Sequence, residues 1–235
     1  MRQHAPLTDR RLFDYCYACG DVITECSRTI EHVPARVLLD RPYPENLATV
    51  FSCFACNNGS SADEQFVACL LEAVRVGSPD PRLFERDRVR DSVQKNKTIA
   101  HRLNSTFASD RAWDGEDNGR SLTNLINKLA RGHAMYDLAD PRYEAPSSVS
   151  WFRLDEASEE TITDFECWTA SVAGDRLLPE VGSRALLRLF DEREEQATWL
   201  TVQPDRYRYS YRLDDALGVR LVLRGFLACE VTWSN

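Results

Sequence analysis

Four of the chain's eight cysteines form two Cys-x-x-Cys pairs, Cys16 and Cys19 in CYACG and Cys53 and Cys56 in CFACNNGSS. In a reducing compartment such pairs favour metal ligation over disulfides. Four thiolates make the ligand set of a closed, tetrahedral structural zinc site, which has no open position for catalysis. Its task would be to tie distant segments together, and its binding energy would be folding energy. Between the pairs stands TIEHVP, with Glu31 and His32 adjacent, and Asn57 directly follows the second pair. A carboxylate oxygen on Glu31 and an amide oxygen on Asn57 are hard ligands that suit Mg2+ or Mn2+. An imidazole that titrates near neutrality can take a proton from an attacking water, a role open to His32. Bringing the four sulfurs together would draw these three residues toward one point, a set suited to hydrolysis of a phosphodiester.

The elements that must position these groups are legible in outline. SRTIEHV and NLATVFSC read as short strands, and Pro42 and Pro44 mark the connection between them as a loop. Ser61 followed by Glu64 has the pattern of a capping box, and Phe66, Val67, Leu70, Leu71 and Val74 then recur at helical spacing. A helix is therefore expected from about Ser61 to VGSPDP at 76–81. Residues 82–109 read as one or more charged amphipathic helices with Val89, Val93, Ile99 and Leu103 apolar. WDGEDNG at 113–119 reads as a loop, and Ser121 as the start of a further helix with Leu122, Leu125, Ile126 and Leu129 on one face. GSRALLRLFDER is ambiguous between helix and strand. RYRYSYR and VRLVLRGFLACEVTW read as strands. The alternation of Tyr207, Tyr209 and Tyr211 with Arg206, Arg208 and Arg212 fits a half-buried strand better than a base-stacking surface.

Taken together, CYACG, EHVP, NLATV and CFACNNGSSADE resemble the HNH endonucleases of the ββα-metal type, in the subgroup with zinc-binding Cys-x-x-Cys pairs on both sides of the core. The resemblance covers roughly residues 12–76. It implies an N-terminal ββα-metal finger with a four-cysteine structural zinc site. Together with the helical and strand patterns read above for the rest of the chain, an α+β fold is expected, with that finger, then a helical segment, then a β-rich C-terminal region. The corresponding segments are 1–80, 81–145 and 146–235. It also implies that Glu31 and Asn57 bind the catalytic divalent ion and that His32 is the general base. Asn46 would hold the loop by hydrogen bonding and help orient the histidine. Asn57 is preferred over Asn58 because it directly follows the second pair. Glu31 stands where many family members have Asp. The implied activity is DNA hydrolysis leaving a 5′-phosphate and a 3′-hydroxyl, with RNA cleavage left open. Family habit further implies an effector of bacterial anti-phage or restriction defence. The rival reading is a non-catalytic zinc module that binds nucleic acid or a protein.

Composition sets limits on partners and surroundings. A net charge of -8 argues against a protein that coats nucleic acid through many phosphate contacts. The acidic excess lies at 146–235, with 10 basic and 16 acidic residues, against 12 and 11 at 76–145. DNA is therefore expected along the front and middle of the chain. The C-terminal region is left for further DNA contacts, for dimerisation or for docking to a partner protein. No apolar run nears the roughly 20 residues needed to span a bilayer, and the start has no signal-peptide core, so a cytoplasmic protein without membrane contact is expected. Cys26, Cys69, Cys167 and Cys229 are expected to be small buried side chains. His4, His101 and His133 are expected at the surface or as caps. Asp63 and Glu64 are read as helix-start residues.

Overall fold

The computed structural model describes residues 9–108, 114–167, 180–181, 183–189, 199–213 and 216–234, with the side chains of 187–189 left aside. Helix and sheet are mixed, in keeping with the α+β class. The chain divides into two compact units, Met1–Asn57 with Ile126–Asn235, and Asn58–Leu125. Two long helices each contribute residues to both units.

The first unit holds the hairpin of β1 (Arg28–Val33) and β2 (Ala48–Cys53). The strands are antiparallel, with Glu31 opposite Val50 and His32 opposite Thr49. Cys16, Tyr17, Ile23, Val33, Val50, Phe51 and Met135 form its small core. β2 runs directly into α1 (Phe54–Val76), which gives the local order strand, strand, helix. The same unit contains a five-stranded antiparallel sheet in the order β3 (Ser148–Arg153), β7 (Leu227–Ser234), β6 (Ala216–Leu223), β5 (Tyr207–Leu213) and β4 (Leu200–Gln203). Tyr207 and Tyr209 of β5 are buried. Between them Arg208 lies over the Trp199 ring and forms a bidentate pair with Glu166. The alternation is thus that of a half-buried strand.

In the second unit α1 continues, followed by α2 (Asp87–Lys95), α3 (Lys97–Ala108) and the first turns of α4 (Glu116–His133). Val89, Val93, Ile99 and Leu103 are all buried, as their spacing predicts. Arg102 stacks on Phe66 at 3.5 Å and donates to Asn118, to the Asp117 carbonyl and to Ser121, which fixes the start of α4.

Several expectations need correction. α1 begins at Phe54 and not near Ser61, whose hydroxyl instead donates back to the Asn58 carbonyl at 2.7 Å. The reason is an unusual cap: Cys53 Sγ accepts the Cys56 backbone N–H at 3.4 Å, where a Ser or Asp oxygen would ordinarily sit. α4 begins at Glu116, inside the expected loop, because Glu116 and Asp117 place acid at the positive end of the helix. Residues 184–189 of the ambiguous segment are helical (α6, Arg184–Leu189), after α5 (Glu159–Glu166). Cys69 and Cys229 are buried, but Cys26 and Cys167 are exposed. His133 is not a surface residue: it is 1% exposed, bonded to the Tyr207 hydroxyl at 2.8 Å and stacked on Tyr209. His101 is exposed as expected, and His4 and Trp113 lie outside the described residues.

Candidate metal centre and acid–imidazole site

The four sulfurs of Cys16, Cys19, Cys53 and Cys56 lie within 4.8 Å of one another, and those of Cys19 and Cys53 are 3.9 Å apart. Thiolates held about 2.3 Å from a central zinc form a tetrahedron with edges of about 3.8 Å, so the cluster has the size of a metal site. Local backbone geometry builds it. Gly20 N–H bonds to the Cys16 carbonyl at 2.9 Å to close the first knuckle, and its φ of +77° is a conformation that glycine adopts without strain. Tyr17 N–H bonds across to the Phe51 carbonyl at 3.0 Å, which seats this knuckle on β2.

The electrostatics of the cluster call for a cation. Burial pushes the Cys16 thiol up, yet the backbone amides of Cys53, Cys19 and Ala18 and the Ser52 hydroxyl outweigh it and bring the group down to about 7. Burial takes Cys19 up to about 12 and pushes Cys56 higher still, with the neighbouring sulfurs adding to the effect. Four sulfurs this close cannot all ionise against one another unless positive charge sits among them. A bound metal ion supplies that charge.

The second group of residues is arranged by β1. Strand alternation puts Thr29, Glu31 and Val33 on one face and His32 on the other. The three candidate residues therefore do not all converge on one point as their spacing suggested: the period of two that carries Glu31 inward turns its neighbour His32 away. Asn57, in the first turn of α1, donates from Nδ2 to Thr29 Oγ1 at 2.9 Å, and Thr29 in turn donates to the Ser52 carbonyl. Asn57 is thereby seated on the face that carries Glu31, one strand step of about 7 Å from Thr29. Asn58 is exposed.

Glu31 is 7% exposed. Its Oε2 lies 3.1 Å from the Lys128 ammonium but accepts no hydrogen bond among the described residues. An anionic oxygen so poorly supplied with donors is a fitting position for a small cation. Lys128 reaches it because α4 packs closely on β1 at Gly132, where an added Cβ would stand 2.7 Å from a Val33 methyl. One turn along, Arg131 donates to the Ala18 carbonyl inside the first Cys-x-x-Cys pair at 3.0 Å and to the Glu144 carbonyl at 2.8 Å.

His32 is half-buried. Burial, reinforced by the charge of Arg36, lowers its pKa to about 4. Arg36 Nη2 faces His32 Nδ1 at 3.5 Å, and a guanidinium can only donate, so Nδ1 carries the lone pair. Asn46 lies exposed in the turn just before β2, with no described hydrogen bond to His32. Asp63 accepts from Asn124 at 2.8 Å within the second unit.

Sequence reasoning singled out Glu31, His32 and Asn57 but not Thr29, Arg36 or Lys128. Arg36, four residues beyond His32, was within reach of local inspection. Lys128 was not, since only the packing of α4 brings it to Glu31. No helix among the described residues is long and apolar enough to cross a membrane. No protein-family model, curated protein or solved structure matches the chain.

Proposed function

We propose that this chain is a metal-dependent endonuclease of the HNH type, hydrolysing DNA phosphodiester bonds beside a cysteine-held structural zinc. The observation that carries the reading is the Asn57–Thr29 hydrogen bond. It seats the first turn of α1 on the Glu31 face of β1, at a junction already tied by four converging sulfurs. Cys16, Cys19, Cys53 and Cys56 would hold zinc. Glu31 and Asn57 would hold Mg2+ or Mn2+, which when bound would stabilise charge developing on the phosphate and the leaving oxygen.

His32, on the face of β1 turned away from Glu31 and Asn57, would act as base only on a phosphodiester that reaches round the strand to both faces. Its imidazole is neutral at physiological pH, the form that accepts a proton. Water attacks phosphorus, its proton passes to His32, the P–O3′ bond breaks, and the 3′ oxygen is protonated from solvent. The products are a 5′-phosphate and a 3′-hydroxyl. Asn46 would then serve the turn before β2 more than the imidazole. One site of this kind cuts one strand, so a double-strand break would need a second copy or a second nick. The C-terminal sheet is the region we assign to such a partner, and a role in anti-phage or restriction defence would follow from family habit alone.

One observation favours the rival reading, a zinc module that binds without catalysis: the Glu31 carboxylate already has an ammonium beside it. Supercoiled plasmid incubated with Mg2+ or Mn2+ separates the two. The wild-type protein should nick it, and His32→Ala of equal zinc content should be slower by about 10²–10⁴-fold. Equal nicking by both would remove His32 as the base. No nicking by either would favour the binding module.

A further inference from the structure

We propose that Lys128 is a stand-in cation, which occupies the Glu31 carboxylate when no divalent ion is bound and must move away when one enters. The inference rests on the nuclease reading, and concerns how its ion site is loaded. Three observations converge on it. Lys128 Nζ lies 3.1 Å from Glu31 Oε2, with the two side chains only 10% and 8% exposed. That oxygen accepts no hydrogen bond among the described residues, so the ammonium is its only described counter-charge. Gly132, one turn beyond Lys128, allows the close approach of α4 to β1 that makes the pair.

An ion about 2.1 Å from the same carboxylate would stand within a few ångströms of the ammonium, and in a buried setting two such positive charges repel strongly. They cannot share the pocket in this geometry. Lysine suits the part: its ammonium is compact and rides on four flexible carbons, so it can swing out along the helix surface. The consequence is a site that is electrically satisfied in the absence of metal and gives up its lysine to gain an ion. A phosphate arriving with the substrate offers the displaced ammonium a new partner, which couples ion loading to DNA.

The chain has three lysines, Lys95, Lys97 and Lys128, which makes the movement measurable in the wild-type protein. Zinc-loaded protein without DNA is treated briefly with acetic anhydride, with and without Mn2+, and acetylation is read by mass spectrometry. Lys128 should be protected without Mn2+ and should approach the reactivity of Lys95 and Lys97 with it, while those two stay unchanged. In parallel, Mn2+ affinity is measured by calorimetry for wild type, Lys128→Met and Glu31→Gln. Lys128→Met should bind about tenfold tighter or more, the scale on which neighbours of metal ligands act, and Glu31→Gln should lose the site. Binding by Lys128→Met alone is the same result in its extreme form.

If Mn2+ binds in a Glu31-dependent way while Lys128 stays protected, or if Lys128→Met binds no more tightly, the stand-in role is overturned and the nuclease reading survives. If no variant shows Glu31-dependent binding, both fall. Should Lys128→Met fail to fold, the acetylation of the wild-type protein still decides.

Discussion

His32 shows how a folded environment can hold an imidazole neutral. Its folded pKa of about 4 lies below the ordinary value of 6.5, because burial and then Arg36 oppose the imidazolium. Between those values the unfolded chain binds a proton that the folded chain does not. This contribution to stability is therefore full above about pH 6.5 and is lost as the pH falls through 4. Urea midpoints at pH 7.5, 5.5 and 4.5 should fall more steeply for wild type than for His32→Asn, whose side chain does not titrate. Identical slopes would mean that the imidazole is not held neutral. If the proposed nuclease reading holds, the same arrangement predicts that nicking persists on mild acidification.

At the scale of elements, two junctions matter. The first is the turn from β2 into α1, where Cys53 caps the helix with sulfur and stands among the four converging thiols. Cys53→Ser should lose the expected zinc content of about one ion per chain, read by elemental analysis. Because thiols held at about 7 and about 12 must ionise to bind metal, zinc uptake at pH 7 should release protons and strengthen as pH rises. Chelation should loosen the hairpin, visible as faster amide exchange in β1 and β2. The second junction is α4 against β1. Gly132→Ala gains up to about 1 kcal/mol of helix propensity. It also drives a methyl into a stiff, β-branched Val33, and overpacking of this kind costs about 1–3 kcal/mol. A net loss in urea stability is expected; a gain would show that α4 can slide away from β1 without cost.

At the scale of the whole molecule, the connection between the two motif strands is held by residues far along the chain. Gln203 uses both ends of its amide on Asp40, accepting from the backbone N–H at 2.9 Å and donating to the carbonyl at 3.0 Å. The Asp40 carboxylate takes Arg224 at 2.8 Å and Arg206. Arg224 is nearly buried and Asp40 is partly exposed. Asp40→Ala should therefore destabilise by no more than the lower part of the about 3–5 kcal/mol typical of a broken buried pair. A thermal scan checks this, with the exposed Asp80→Ala as a reference near zero. The C-terminal sheet is thus part of what holds the hairpin's connection in place, in addition to any partner it meets.

The sequence by itself determined the local features: the two cysteine pairs, the strands around Glu31 and Phe51, and the apolar faces of α2 to α4. Each depends on side chains a few residues apart, so spacing alone reveals it. Tertiary structure decided the rest. Ser61 and Glu64 imitated a helix start because nothing in the spacing shows that a sulfur can cap a helix seven residues earlier. His133 looked like a surface residue until β5 supplied a pair of tyrosines to bond and stack with it. Lys128 lies 97 positions from Glu31 in the chain, and only a close helix contact at Gly132 makes them neighbours. Charge pairs and buried polar bonds act over ångströms in space, and the linear order of residues carries no measure of that distance.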